Sequence, residues 1–200
     1  MKEISVKGYT LNGGVFMSYD EYKAARDLSW QCLINCKINS LPISLSKVCR
    51  QYGYTIVKDS HLSDRFPIHL SENQRSKCFI DERVFILVKD TESIPVQRFS
   101  VAHEIGHIFL GHVPAERLTK EQELTADRFA DDLLAPACVL WGLDLHTPEE
   151  ISTACNISIT SARIRAERMK ALYARGKFLL HPLERQVYKQ FEEFIKNYKK

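Results

Sequence analysis

The stretch Val101-Ala102-His103-Glu104-Ile105-Gly106-His107-Ile108-Phe109 carries the pattern H-E-x-x-H, and the rest of the chain is best interpreted from it. Residues four apart lie on one face of a helix, so the imidazoles of His103 and His107 can reach one cation. Neutral imidazole suits zinc. Glu104 stands where a base can take a proton from an attacking water molecule without itself binding the ion. The pattern predicts a zinc-binding helix with a catalytic carboxylate.

The predicted helix runs from about Val96 to Leu110, and Gly111 is a natural residue to follow its last turn. One face repeats apolar residues at helical spacing and is expected to face the core. The residues of this face are Val101, Ile105, Ile108 and Phe109. The two histidines project to the opposite side. The competing interpretation is a pair of surface histidines that merely cover the core, because short motifs also arise by chance.

A second predicted helix, from about Lys120 to Leu134, offers the third ligand. A catalytic zinc site uses three protein ligands and a water molecule. Glu123 and Asp127 share one stripe of this helix with Ala126 and Ala130, whose small side chains allow close approach to the first helix. We expect Glu123 to bind the metal and Asp127 to accept a hydrogen bond from a ligand histidine. The alternative is a solvated acidic helix start, which the helix dipole also favours.

His112 is a rival for the third ligand. The metzincin pattern H-E-x-x-H-x-x-G-x-x-H requires glycine at position 110 and histidine at position 113. Leu110 and Val113 stand there instead, and Gly111-His112 falls one residue out of register. We therefore interpret His112 as a loop residue beyond the helix end. The remaining histidines stand alone and have no ligand spacing; they are His61, His69, His146 and His181.

The composition of the whole chain indicates a globular protein and argues against a secreted or membrane-spanning one. The hydrophobic fraction of 44% and the charged fraction of 26% are typical of a globular protein, and 200 residues suit one domain with or without an appendage. Residues 1–10 contain no apolar core of a secretory signal, and six cysteines form no C-x-x-C pair, so we expect a cytoplasmic protein with reduced thiols. The apolar stretch Leu133–Leu143 is too short to span a membrane and is interrupted by Pro136 and Gly142.

The remaining elements follow from caps and periodicity. Residues 1–17 are expected to be weakly ordered, with a break at Gly13-Gly14. The apolar run Val84–Val88 predicts a strand that is covered on both faces. The other expected strands are Tyr54–Val57 and Cys78–Ile80. The other expected helices are one from the Ser18/Glu21 capping box to about Cys36, one from Pro42 to Tyr52, a short one after the Thr147-Pro148-Glu149-Glu150 cap, a longer one ending at Arg175, and an amphipathic one from Pro182 to Tyr198.

Several stretches together resemble the ImmA/IrrE family of metallo-endopeptidases, over about residues 40–170. They are Leu41-Pro42-Ile43, Tyr52-Gly53-Tyr54, Phe85-Ile86-Leu87-Val88, residues 97–107, residues 123–130, Leu133-Leu134-Ala135-Pro136 and residues 151–165. Two positions depart from the family's pattern. Asp127 stands where the family often has Asn, and Ala135 where it often has Met; neither change removes a predicted zinc ligand.

The resemblance implies an α+β fold: a small zincin-like domain with a short β-sheet packed on helices, the H-E-x-x-H helix and a helical C-terminal part. It implies that His103, His107 and Glu123 bind Zn²⁺ and that Glu104 is the catalytic base. Family members are cytosolic bacterial or phage-type proteins, and the targets expected from the resemblance are helix-turn-helix repressors, cleaved to relieve repression. The expected division is an N-terminal extension and helix at 1–39, the zinc metallopeptidase domain at 40–176 and a C-terminal amphipathic helix at 177–200.

Two other functions compete with a peptidase. Residues 151–165 have a helix-turn-helix character, and residues 160–200 hold 11 Lys and Arg against 4 Asp and Glu. A DNA-binding regulator is therefore the first alternative. However, Arg163, Arg165 and Arg168 are not segregated from the expected core positions Ile164 and Met169, so direct nucleic-acid binding is not expected. A metal-binding pseudo-enzyme that acts as a sensor is the third reading, and it would not need Glu104.

Overall fold

A computed structural model of the protein describes residues 9–11, 15–62, 68–112, 118–176 and 178–198. Within them, strands and helices mix as an α+β fold. The strands are β1 (Tyr9–Leu11), β2 (Val15–Met17), β3 (Tyr54–Lys58), β4 (Ser76–Ile80) and β5 (Val84–Val88). The helices are α1 (Tyr19–Asn35), α2 (Leu45–Tyr52), α3 (Ile94–Phe109), α4 (Lys120–Leu134), α5 (Ala137–Leu143), α6 (Pro148–Cys155), α7 (Ile159–Arg175) and α8 (Pro182–Tyr198).

The larger sheet has the strand order β3-β5-β4. β3 runs parallel to β5, and β4 runs antiparallel to it. Ile86, Leu87 and Val88 of the central strand are buried, which confirms the covered strand predicted from its apolar run. β4 lies at one edge of this sheet and also contacts α3, and this position brings the sheet edge to the predicted site.

The helices pack around one hydrophobic core. α3 and α1 both pack on α4, α8 packs on α5 and α1, and α6 packs on α7. Fully buried members of the core come from five of these helices; they are Leu33, Ile105, Phe129, Leu140 and Phe191. Burial of such apolar side chains is the dominant stabilising contribution to a fold of this kind. α4 joins the two halves of this packing that matter for the site, because both α1 and α3 lie against it.

Capping residues set where several helices begin. The Ser18 hydroxyl accepts from the backbone of Glu21, and the Glu21 carboxylate accepts in return from the Ser18 N–H, which confirms the predicted capping box of α1. The same reciprocal pair forms at Thr147 and Glu150 before α6. Each box provides acceptors for N–H groups that have no partner inside the helix. These local signals explain why both helix starts could be predicted from sequence.

Two predicted elements differ from the structure. The second helix begins at Leu45 and not at Pro42, because the Ser44 hydroxyl accepts from the N–H of Lys47 and makes Ser44 the N-cap. Residues 9–11 and 15–17 form β1 and β2, which pair as an antiparallel hairpin that the sequence did not predict. Both strands carry the β-branched, aromatic and long apolar residues that favour strands. The expected break at Gly13-Gly14 lies outside the described residues.

The apolar stretch Leu133–Leu143 forms the end of α4 and then α5, a helix that the sequence did not predict. Gly142 of α5 explains the close packing on α8, because a Cβ there would lie 2.8 Å from side-chain atoms of Ile195 and Tyr188. In α7, Met169 is buried as expected, but the expected core position Ile164 is 47% exposed. None of the helices in the described ranges is long and apolar enough to cross a membrane.

Candidate metal centre

Three side chains from α3 and α4 converge on one point. His103 Nε2 lies 2.9 Å from His107 Nε2 and 3.1 Å from Glu123 Oε2, and His107 Nε2 lies 3.8 Å from the same carboxylate oxygen. Tetrahedral ligands about 2.0–2.2 Å from a zinc ion lie roughly 3.3 Å from one another. The three ligand atoms can therefore hold a zinc-sized cation, and no other group of at least three such residues in the described ranges is spaced for one.

The two helices approach closely enough for this because of small residues at their crossing. A Cβ at Gly106 would lie 3.1 Å from the backbone oxygen of Ala126 and 3.2 Å from Phe129. Ala126 and Ala130 are fully buried at the same crossing. The sequence indicated the alanines of α4 but not the glycine of α3, which lies directly before His107. Without Gly106, α4 would have to move away and would carry Glu123 with it.

Asp127 lies behind the first ligand. Its Oδ1 is 2.8 Å from His103 Nδ1, the ring nitrogen that does not face the ligand cluster. A carboxylate in this place fixes the proton on Nδ1 and leaves the Nε2 lone pair free for a metal. Glu123 and Asp127 are four residues apart on α4, so one face of one helix supplies both carboxylates.

The electrostatics of the cluster favour positive charge. Burial alone would lower the pKa of His103, but the hydrogen bonds to Asp127 and Glu123 outweigh it and raise the pKa to about 10. The hydrogen bonds from His103 and His107 hold the pKa of Glu123 far below its ordinary value. A site that attracts a proton this strongly also attracts a divalent cation, since both are positive charges facing the same acceptors.

Glu104 follows His103 and is held against the sheet edge. Glu104 is buried, at 8% exposed, and its Oε1 accepts a hydrogen bond of 2.8 Å from the Ser76 hydroxyl of β4. This contact fixes one oxygen of the carboxylate. Ser76 was not singled out from sequence, because a serine in a polar stretch shows no spacing that links it to a residue 28 positions away.

His112 lies beside the second ligand, where the sequence placed only a loop residue. Its Nδ1 is 3.0 Å from His107 Nδ1. It does not join the ligand group of His103, His107 and Glu123. The signal that could have indicated this contact is the helix-ending Gly111, because the turn it makes sends the next residue back along the helix.

The cluster opens into a groove of about 1230 Å³. β4 forms one wall, the face of α3 from Pro95 to His107 forms the floor, and Ser158, Thr160 and Ser161 at the start of α7 line the far side. Apolar side chains, Phe99 among them, lie in the groove one to two helical turns from the ligands. The arrangement can hold an elongated molecule across the metal position.

The other histidines do not join the site. His146 is exposed and contacts Asp144 at 2.9 Å, His181 lies 3.7 Å from Asp27, and His61 and His69 are exposed on the surface. The cysteines are free thiols, five of them buried and Cys78 half-buried.

Comparison with known proteins places the chain in a family. No curated protein sequence matches it. Residues 63–166 match the peptidase family described as the IrrE N-terminal-like domain. That segment is more than half of the chain and contains α3, α4 and the converging side chains. The chain belongs to the family of peptidases with an IrrE N-terminal-like domain, the ImmA/IrrE family that its motifs resemble.

Proposed function

We propose that this protein is a cytoplasmic, zinc-dependent endopeptidase that cleaves one specific protein, a helix-turn-helix transcriptional repressor. The observation that carries the proposal is the convergence of His103, His107 and Glu123 in a groove, with Glu104 beside them. Two imidazoles, one carboxylate and an open side are the ligand set of a catalytic zinc site, and structural zinc sites are closed by four protein ligands.

A zinc ion held there would lower the pKa of a water molecule and polarise the carbonyl of a peptide bond. The chain's own contribution is proton transfer and orientation. The Glu104 carboxylate takes the proton of the attacking water and delivers it to the departing amine. Ser76 holds Oε1 of that carboxylate, so the base is oriented before the substrate arrives. Asp127 holds the ring of His103 in the tautomer that presents Nε2 to the groove.

A polypeptide substrate suits the wall of the groove. β4 is an edge strand, paired with β5 on one side, and the described residues supply no strand for its other side. Unpaired backbone groups at an edge bind an extended segment by strand addition. An extended peptide lying along Ser76–Ile80 would pass the base and the ligand cluster. This geometry supports an endopeptidase, and the repressor as its target rests on the family resemblance.

Two of the four arginines of α7 argue against a DNA-reading role for the α6–α7 hairpin. Arg165 is buried and bonded to Asp132 at 2.8 Å, and Arg168 pairs with Asp131 at 3.0 Å. Cations neutralised by carboxylates of their own protein attract phosphates weakly, because phosphate binding depends on uncompensated positive charge.

The test uses Glu104→Gln as the inactive partner of the wild-type protein. Each is incubated with an extract of the source cell, with and without a chelator, and new protein N-termini are sequenced. We expect chelator-sensitive cleavage of a helix-turn-helix repressor by the wild type and a rate about 10²–10⁴-fold lower for Glu104→Gln. Zinc content should be equal in the two proteins, because Gln keeps the shape of the side chain.

Three outcomes contradict parts of the proposal. Equal cleavage by Glu104→Gln would exclude Glu104 as the base. Zinc binding with no new N-termini would favour the sensor function. In a parallel titration against duplex DNA over a salt series, a steep loss of affinity with salt and no cleavage would favour the DNA-binding regulator.

A further inference from the structure

The C-terminal end of α3 is closed by Gly111 and His112, two residues that the proposed mechanism does not use. The His112 N–H donates to the His107 carbonyl at 2.9 Å, and the Gly111 N–H donates to the Ile108 carbonyl at 3.2 Å. These two bonds form a Schellman motif. Gly111 has a φ of +72°, in the left-handed region that a residue with a Cβ adopts only with strain. The backbone of His112 is thereby tied to the backbone of His107.

This turn also brings the two rings together. His112 Nδ1 lies 3.0 Å from His107 Nδ1, and the ring centroids are 5.2 Å apart. The other nitrogen of His107, Nε2, is the one that faces His103 Nε2 at 2.9 Å. His112 thus contacts the side of His107 that points away from the ligand cluster, and it does so without entering that cluster.

The chemistry of an imidazole ligand gives this contact a purpose. A neutral imidazole that binds a metal through Nε2 carries its proton on Nδ1, and that N–H needs an acceptor when the ring is buried. The His107 side chain is only 2% exposed. Among the described residues, His112 Nδ1 is the acceptor within hydrogen-bond distance of His107 Nδ1. His112 therefore contacts Nδ1 of His107 in the way that Asp127 contacts Nδ1 of His103.

We propose that the Gly111-His112 turn orients His107 for zinc, with His112 Nδ1 accepting the Nδ1 proton of His107. His112 is a positioning residue and not a ligand. The inference rests on the proposed function, since it assumes that His107 binds a metal. This role also accounts for the position of His112, one residue out of register with the third ligand of a metzincin. From there His112 reaches Nδ1 of His107 and does not reach the ion.

The test measures zinc affinity by competition with a chelating indicator, together with the visible spectrum of the Co²⁺-loaded protein. His112→Ala should weaken zinc binding by about 10–100-fold, as loss of a partner of a ligand usually does. His112→Asn should restore most of the affinity, because its amide oxygen is bonded to Cγ as Nδ1 is. His112→Gln carries its oxygen one bond further out and should restore less. His146→Ala, which removes an exposed histidine elsewhere, should bind zinc as the wild type does.

The turn itself is tested with Gly111→Ala. We expect this variant to weaken zinc binding in the same direction, because a Cβ strains the left-handed residue and displaces His112. Combined with His112→Ala, it should add little further loss, since both changes act through one contact. The melting temperature of each metal-free variant, measured in parallel, separates loss of affinity from loss of fold.

The outcomes separate this inference from the proposed function. If the wild type binds zinc tightly and His112→Ala binds it equally well, the orienting role of His112 is wrong and the zinc site stands. Equal weakening in His112→Ala and His112→Asn would also overturn it, because ring volume and not the acceptor would then matter. If the wild type binds neither zinc nor Co²⁺, the proposed function itself fails.

Discussion

The two ends of α4 place charged side chains in opposite situations. At its start, Glu123 and Asp127 face the imidazoles of α3, and their side chains are 46% and 48% exposed. Toward its end, Asp132 is only 3% exposed and lies between two arginines. Its Oδ2 is 2.6 Å from Arg128 Nε, and its Oδ1 is 2.8 Å from Arg165 Nη2. In the first group the carboxylates face imidazoles, which can release a proton and bind a metal ion in its place. The second is neutralised within the protein.

A binding site and a structural ion pair on one helix differ in the partners of their carboxylates. Burial opposes the charge of Asp132, yet Arg128 and Arg165 hold its pKa below the ordinary value, because they supply the positive charge it needs. At the other end, burial would lower the pKa of His103, but the hydrogen bonds to Asp127 and Glu123 outweigh it and raise the pKa to about 10. Carboxylates that converge with imidazoles indicate a metal site, because both are metal ligands once the imidazole is neutral. A carboxylate held between buried guanidinium groups, which cannot bind a metal, indicates a contribution to stability.

The largest expected effect is the loss of zinc affinity when a ligand of the metal centre is removed. His107→Ala should lower zinc affinity by more than about 100-fold, beyond the range for residues that only support a ligand. The unfolding free energy of the metal-free protein should change much less than the affinity. Elemental analysis of the purified variant is the measurement. Full zinc occupancy would remove His107 from the ligand set.

Arg165→Ala should have the opposite effect: a large loss of unfolding free energy and no change in zinc affinity. Removing one partner of a buried ion pair leaves an uncompensated charge and costs about 3–5 kcal/mol of unfolding free energy. Zinc affinity of the folded variant should be unchanged. Denaturant unfolding of the metal-free protein measures the first quantity, and an indicator titration measures the second. A stability loss below about 1 kcal/mol, typical of an exposed pair, would contradict the view that this cluster is structural.

The ion pair of Asp132 and Arg165 should make the unfolding free energy depend on pH. Because the folded pKa of Asp132 lies below its ordinary value of 3.8, the pair contributes its full stability above that pH. The contribution is lost as the pH falls through the folded pKa. The stability difference between the wild type and Arg165→Ala should therefore narrow in acid. A difference that stays constant down to the acid transition would exclude an ionised Asp132.

Asp127→Ala should have an intermediate effect, a zinc affinity about 10–100-fold weaker with the fold retained. The reason is the loss of the acceptor for His103 Nδ1, which frees the ring to turn or to change tautomer. Asp127→Asn keeps an oxygen in place and is the matched control. An unchanged affinity for Asp127→Ala would leave Asp127 as a carboxylate of the helix surface.

The smallest effect is expected for Arg168→Ala, which changes an arginine of α7 that is less deeply buried than Arg165. Its pair with Asp131 at 3.0 Å should contribute less than the buried pair of Arg165, about 1 kcal/mol, because water reaches both side chains, which are 25% and 20% exposed. Unfolding of this variant beside Arg165→Ala compares two arginines of α7 that differ mainly in burial. Equal losses for both would mean that burial does not decide the strength of these pairs.

Much of the local structure could be predicted because the signals lie within a few residues of one another. The capping boxes at Ser18 and Thr147, the bounds of α4 and the covered strand β5 all depend on neighbouring residues. The approach of Glu123 to His103 and His107 was also expected, since helical periodicity puts each set on one face. The hairpin of β1 and β2 and the helix α5 were missed, because short apolar runs are ambiguous between strand, helix and loop.

By itself, the sequence determined which residue types occupy the face of α3 and the stripe of α4, because helical geometry converts spacing directly into direction. Only the tertiary structure decided which partners those side chains meet. Ser76 reaches Glu104 across 28 residues, and His112 reaches His107 through a left-handed glycine turn. Arg165 is bonded to Asp132 from 33 residues away. Such contacts depend on how strands and helices pack, and packing joins residues whose separation along the chain follows no period.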